Sequence, residues 1–423
     1  MKLSLNNIGK ISSAAIEING ITVIAGENDT GKSTLGKVLF AVFNSLYKSE
    51  EKIVIERKNS IKNSIQIIFR NAPDRLFFEL DIDELVKEIM NHVEIQQSYE
   101  EKKQSIAKII QQYYYEIVLE SLNDEDLNEI SERIATILSI DDMEIFKAVV
   151  QRHLDLEFNK QISNVYVSDE ISSICLEIRN KQINVSIDRD KVVEVDKRVS
   201  LGTEAIYIDD PFVLDEFPSS IRRMNRNTIG HRIHLKEKLY SNQAEGNIIE
   251  EIVANSKLET IYGKISSVCD GEIIKGKRSD LTYRIPGTEK VFDIRNLSTG
   301  LKTFAILKML LVHGQIEPNG TIILDEPEIH LHPEWQLLFA ELIVLLHKEF
   351  GLHVLLNTHS PYFLNAIEVY AAKHGVDDKC RYYLTENRDN VAYVEDVTAN
   401  IEKIYAKLAR PLQKLENERY GDD

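Results

Sequence analysis

Gly26-Glu27-Asn28-Asp29-Thr30-Gly31-Lys32-Ser33 fits the pattern G-x-x-x-x-G-K-[ST], in which glycines let successive backbone N–H groups curl around phosphate oxygens. The pattern sends Lys32 to the β and γ phosphates of a nucleotide and the Ser33 hydroxyl to Mg²⁺. Gly26, Asn28, Asp29, Thr30, Gly31, Lys32, Ser33 and Thr34 are the expected contacts to the bound cofactor. The flanks agree. Ile21 to Ala25 is an apolar run that reads as a strand, and Leu35, Val38, Leu39, Val42 and Phe43 recur at the spacing that gives a helix one apolar face. A glycine turn without a ligand is the competing reading, and the strand before the loop and the helix after it weigh against it. Just upstream, Ala14 to Ile18 and Ile21 to Ala25 flank Asn19-Gly20, a dipeptide suited to a tight turn, so a hairpin between these two runs is predicted.

A second segment complements the loop. Thr321-Ile322-Ile323-Leu324-Asp325-Glu326 is an apolar strand ending in two carboxylates, where an open parallel sheet places its ligand groups. Asp325 is expected to hold Mg²⁺ through water, and Glu326 to polarise the attacking water for displacement at the γ-phosphate. Strand-end Asp-Glu pairs are common in turns, and this pair gains meaning only beside the phosphate loop. A helix from about Pro333 to Lys348 and an apolar strand from Leu352 to Asn357 follow, the β-α-β rhythm of a parallel sheet. His359 ends that strand in Asn357-Thr358-His359-Ser360-Pro361; a lone histidine there is otherwise structural. His330 and His332 stand at i, i+2, but with no further ligand pair in view a metal site is rejected.

The chain has 423 residues with 43% hydrophobic content, enough to bury a sizeable core. No uninterrupted apolar run of about 18 residues appears, and the N-terminus reads as a strand instead of a secretion signal, so no membrane association and a cytoplasmic location are expected. Cys175, Cys269 and Cys380 are far apart, with no C-x-x-C pair, and read as reduced core thiols. A formal charge of −17 argues against a chain that binds polyanions over its whole surface. One long basic segment, Ser219 to Lys238, carries Arg222, Arg223, Arg226, Arg232, Lys236, Lys238, His231 and His234 against one acid, Glu237. It reads first as a solvated loop and, alternatively, as a contact for DNA, RNA or an acidic partner.

Four regions emerge. Residues 1–47 form an N-terminal lobe around the phosphate loop. Residues 48–165 are charged and mostly helical, with Ile106, Ile109, Ile110, Tyr113 and Ile117 on one stripe, and read as an insertion without the sustained heptads of a coiled coil. Tyr113, Tyr114 and Tyr115 read as packing residues before base-stacking ones. Residues 166–290 return to strands, alternating over 173–189 and again from Asp280 to Ile294 around Pro286-Gly287, and include the basic segment. Residues 291–423 hold the second lobe and a tail of two short strands, Arg381 to Leu384 and Val391 to Val394, then a helix. The expected fold class is α/β, a mixed sheet flanked by helices with a helical insertion.

Leu297-Ser298-Thr299-Gly300-Leu301-Lys302 reads by itself as a helix cap, but it resembles the signature L-S-x-G of ABC ATPases and lies just ahead of the Asp325 strand, as it does there. Taken with the phosphate loop, the Asp325-Glu326 strand and the histidine strand, it makes the chain resemble ABC-type P-loop ATPases of the SMC, RecF and overcoming-lysogenization-defect (OLD) group. The resemblance is strongest to stand-alone ATPases of anti-phage defence systems of the Septu or PARIS kind. It covers residues 1–47 and about 290–370. It implies an ABC-type head that closes on ATP and Mg²⁺ with a second copy, as a head-to-head dimer or higher homo-oligomer. Ser298 and Gly300 would face the nucleotide of the other subunit, His359 would be the switch histidine on the γ-phosphate, and His330 and His332 would lie in the loop crossing that interface. Glu326, His359 and Lys32 are then the catalytic set. The spacing from the phosphate loop to Ser298 is far longer than in a transporter subunit, and the stretch after the histidine strand is too short for the TOPRIM domain of OLD nucleases. The expectation is an ATP-driven regulator of a separately encoded effector, a nuclease being the candidate class. The alternative is a RecF/SMC-like maintenance ATPase touching DNA through Arg222, Arg223, Arg226 and Arg232. The glutamine-loop and adenine-contacting residues have no assignment.

Overall fold

The structure is a computed structural model that describes residues 1–69, 81–94, 96–113, 124–167, 171–216, 230–241, 259–275 and 281–420. By contacts the chain divides into one unit made of Met1–Tyr47 and Val150–Asp423 and another made of Lys48–Val149.

Among the described residues, the first unit is built on an eleven-stranded sheet. Its antiparallel half starts with β1 (Lys2–Ile8) and β2 (Ile11–Glu17), a hairpin whose turn holds Gly9 at φ 57°, and adds β4 (Ser172–Ile178), β5 (Lys181–Asp188) and β6 (Lys191–Val195) outside β1. Its parallel half contains β3 (Ile21–Gly26), β7 (Ala205–Ile208), β11 (Thr321–Asp325), β12 (His353–Thr358) and β13 (Cys380–Arg388), and β14 (Val391–Asp396) joins the halves. The order is β6-β5-β4-β1-β2-β14-β13-β3-β12-β11-β7. A separate antiparallel sheet consists of β8 (Glu272–Lys275), β9 (Leu281–Arg284) and β10 (Val291–Asp293), with the predicted turn around Pro286-Gly287 between the last two.

The hairpin predicted across Asn19-Gly20 does not form. β2 pairs with β1 and β14, whereas β3 runs parallel between β12 and β13. The residue pattern gives the reason. β2 alternates buried and exposed positions, as suits a sheet with one covered face, while β3 is buried throughout and belongs in a parallel centre covered on both faces. Gly20, at φ 112°, makes a crossing turn so close to Lys379 that an added Cβ would lie 2.7 Å from that side chain.

Helix α1 (Lys32–Leu46) follows the phosphate loop and buries Leu35, Val38, Leu39, Val42 and Phe43, the predicted stripe. Unit two has its own apolar core within α2 (Ser49–Phe69), α3 (Ile82–His92), α4 (Tyr99–Tyr113) and α5 (Asp124–Ser139), centred on Ile61, Leu85, Ile89, Ile106, Ile110, Ile130 and Ile134. Of the expected α4 stripe, Ile106 and Ile110 are fully buried and Ile117 lies outside the described residues, as do Tyr114 and Tyr115 of the tyrosine run. Helix α6 (Asp142–Phe158) leads back into the first unit. There α7 (His231–Tyr240), α8 (Thr299–Val312), α9 (Pro333–Phe350), α10 (Pro361–His374) and α11 (Glu402–Tyr420) complete an α/β architecture, a mixed sheet flanked by helices. No described helix is long and apolar enough to cross a membrane.

Candidate functional site

The carboxyl ends of β3, β11 and β12 are adjacent because these strands are parallel neighbours, with Asp325 opposite Asn357 and Thr358 opposite Ala25. That register draws three distant stretches of sequence to one place. From β3 the chain turns into the phosphate loop, where Asp29 (φ 62°) and Gly31 (φ 79°) take left-handed conformations and Gly31 caps α1. The Lys32 ammonium reaches back across the loop, donating to the carbonyls of Gly26 at 3.1 Å and Glu27 at 2.8 Å. Thr30 is buried, its hydroxyl 2.8 Å from the Glu27 carbonyl and 2.6 Å from the Thr385 hydroxyl of β13. Gly26 lies so close to Thr385 that a Cβ there would meet the Thr385 carbonyl oxygen at 2.7 Å. Asn28, Asp29 and Ser33 are exposed, and Lys10 at the β1–β2 turn ion-pairs with Asp29.

Glu326 follows the end of β11 with φ 50°, a left-handed conformation rarely adopted by a side-chain-bearing residue. Its backbone N–H donates to the Asn357 carbonyl at 3.0 Å, and its Oε1 stands 3.6 Å from Lys32 Nζ and 3.3 Å from His359 Nδ1. The three expected catalytic residues therefore converge within one chain. Beside them, Asp325 accepts from Asn357 Nδ2 on Oδ1 at 2.9 Å and from the Tyr207 hydroxyl on Oδ2 at 2.8 Å. Burial beside the Asp325 charge pushes the Tyr207 phenol well above its ordinary range, which keeps it a donor. The Oδ1 of Asn357 is buried without a hydrogen-bond partner among the described residues, an acceptor beside a carboxylate. Together with the Ser33 hydroxyl these are hard oxygen donors of the kind Mg²⁺ takes, so the residues fit that ion.

Beneath this cluster Glu328 is almost fully buried. It accepts from the Thr358 hydroxyl and from the His359 N–H at 3.3 Å, which ties the segment after β11 to the end of β12. Burial raises its pKa against the lowering effect of those two donors.

Ser298 and Gly300 are not part of this cluster. Ser298 caps α8 by accepting from the Leu301 N–H at 3.4 Å, and together with Thr299, Gly300, His330, His332 and Trp335 it lines a separate pocket of about 440 Å³. Gly300 is required there, since a Cβ would meet the His330 carbonyl at 2.9 Å and the Trp335 ring at 3.2 Å. His330 packs edge-on against Phe212 with ring centroids 5.7 Å apart.

Of the basic segment, Arg222, Arg223 and Arg226 lie outside the described residues. The described part is held by acids. Arg232 pairs with Asp210 and Glu216, Lys236 with Glu216, Lys238 and His234 with Glu204, and His231 with Glu157 and Asp209. Burial works against charge on His231, but hydrogen bonds to Asp209 and Glu157 outweigh it and raise the imidazole to about 9.

Tyr207, Asn357, Thr385 and Glu328 carry geometry that the motif reading assigned to no residue. Tyr207 had a signal in sequence, since Ala205-Ile206-Tyr207-Ile208-Asp209-Asp210 is an apolar run ending in two carboxylates, like the β11 segment. Thr385 had none, because its role comes from β13 lying beside β3.

A family model described as an AAA ATPase domain matches residues 1–364. The Retron Vc95 probable ATPase of Vibrio cholerae serotype O1 biovar El Tor is 26% identical over 156 residues, 34% of this chain and 29% of that protein. The OLD nuclease of Thermus scotoductus (strain ATCC 700910 / SA-01) is 32% identical over 88 residues, 21% of this chain and 15% of that protein. The chain thus spans less than a third of the length of the curated relatives it matches. Among solved structures, an SMC head bound to the C-winged helix domain of ScpA is similar with a TM-score of 0.47 and 12% identity, covering 93% of this chain and 97% of that one.

Proposed function

The chain belongs to the AAA ATPase domain family, and from that premise we propose that it is an ABC/SMC-type P-loop ATPase of the RecF/OLD group that binds ATP in the Gly26–Ser33 loop and hydrolyses it. The observation that carries the reading is the meeting of Lys32, Glu326 and His359 around one carboxylate oxygen. Backbone N–H groups of the loop and the α1 N-terminus hold the phosphates, and Lys32 swings from its own loop carbonyls to their oxygens. Glu326 takes the proton of the attacking water and orients it in line with the γ-phosphate. His359 donates to the γ-phosphate and senses its loss. Asp325 and Ser33 would hold Mg²⁺, which would supply charge neutralisation at the phosphates.

The pocket at Ser298 and Gly300 receives the nucleotide of a second copy, so two heads close on two ATP molecules and reopen after hydrolysis. This cycle controls a separately encoded effector, of the nuclease class, in defence against phage; similarity to the Retron Vc95 probable ATPase supports the ATPase part of the reading. The DNA-binding alternative depends on Arg222, Arg223 and Arg226, because Arg232 and its described basic neighbours are engaged by acids.

Steady-state hydrolysis by the purified chain, with and without double-stranded DNA, tests the reading. Glu326→Gln should lower turnover by about 10²- to 10³-fold while leaving ATP binding intact. Parental turnover in that variant would remove Glu326 from the role of base, and strong stimulation by DNA would favour the maintenance alternative.

A further inference from the structure

Tyr207 stands out among the buried polar groups. Its side chain is one of the largest fully buried in the chain, yet its hydroxyl is spent on a charged carboxylate at a strand end. In the parallel register of β7 and β11 it sits opposite Ile323, two residues before Asp325. That offset is a rise of about 6.6 Å along the strand, a distance only a long side chain covers.

Room has been made for it. Gly36 lies inside α1, where glycine is unfavourable relative to alanine. A Cβ at Gly36 would come within 3.1 Å of the Tyr207 hydroxyl and 3.0 Å of Ile323. Behind the phenol, the His231 ring stacks on it with centroids 4.6 Å apart and planes 28° apart. His231 is itself pinned: its backbone N–H and Nδ1 reach the two oxygens of Glu157 at 2.9 and 2.7 Å, and its Nε2 lies 3.1 Å from Asp209. The Tyr207 ring is therefore wedged between α1 and an immobilised imidazole, with its hydroxyl aimed at Oδ2 of Asp325 while Asn357 holds Oδ1.

We propose that Tyr207 is a positioning residue for Asp325, fixing the rotation of its carboxylate for the Mg²⁺ that accompanies ATP, and that His231 fixes Tyr207. The inference rests on the reading of Asp325 as the Mg²⁺-side carboxylate. Partners that orient a metal-binding carboxylate raise metal affinity about 10-fold or more without touching the ion. The arrangement also ties the start of α7, within the basic segment, to the metal-side carboxylate through two side chains.

The test is calorimetric binding of ATPγS to the full chain in EDTA and in Mg²⁺, which separates phosphate-loop affinity from the gain that Mg²⁺ adds. Tyr207→Phe should leave the EDTA affinity unchanged and cut the Mg²⁺ gain by about 10-fold. His231→Gln, which keeps the hydroxyl but frees the ring, should cut it less. Asp325→Asn should abolish it. A Tyr207→Phe chain with the parental Mg²⁺ gain, beside an Asp325→Asn chain that has lost it, would overturn the positioning role and leave the metal assignment standing. An Asp325→Asn chain with a full gain would overturn both. Should Tyr207→Phe fail to fold, the His231→Gln chain decides, and an unchanged gain there counts against the proposal.

Discussion

Glu326 pays for its place with backbone conformation. A non-glycine residue held at φ 50° costs on the order of 1–3 kcal/mol, and the neighbouring ladder imposes it through the hydrogen bond from the Glu326 N–H to Asn357. The return is a carboxylate turned toward Lys32 and His359 instead of along the strand. His231 offers a test at this scale. Its folded-state pKa of about 9 lies above its ordinary 6.5, so the stability it contributes is fully present below pH 6.5 and is lost as pH rises through 9. The melting temperature of the parental chain should exceed that of His231→Gln clearly at pH 6, and the difference should shrink by pH 9.5.

At the scale of elements, the phosphate loop is seated on β13 as well as strung between β3 and α1. Thr385 hydrogen-bonds Thr30 and closes over Gly26. Gly26→Ala should therefore displace the loop, abolishing ATP binding in an equilibrium titration and lowering the melting temperature, although the substitution adds one methyl group. The α8 N-terminus poses a different question, because Ser298 is both a helix cap and the expected contact to a second copy's nucleotide. Aspartate caps as well as serine does but repels phosphate. Ser298→Asp should keep the parental melting temperature while losing ATP-driven assembly, measured by light scattering. Ser298→Ala should lose about 1 kcal/mol of stability in denaturant titration.

At the scale of the whole molecule, the Lys32–Glu326–His359 cluster and the Ser298 pocket lie apart on one chain. Under the proposed closure, a chain that offers the phosphate loop on one side and the Ser298 pocket on the other would complete neither without a second copy. In ATP, Glu326→Gln should double its mass by light scattering while Lys32→Ala keeps the mass it has without nucleotide. Equal masses for the two variants would argue against closure around the nucleotide.

The glycine loop between β3 and α1, the strand-end carboxylates and the β-α-β rhythm were legible in sequence because each is local: a turn needs its glycines, a buried parallel strand needs an unbroken apolar run, and a helix shows its period. Pairing is not local. Asn19-Gly20 has the chemistry of a hairpin turn, yet β3 went to the parallel centre because burial on both faces outweighed the turn preference. The same holds within the site. Lys32, Glu326 and His359 carry their identities in sequence, but Tyr207, Asn357 and Thr385 gain their roles from which strands lie side by side, and tertiary packing alone settles that order.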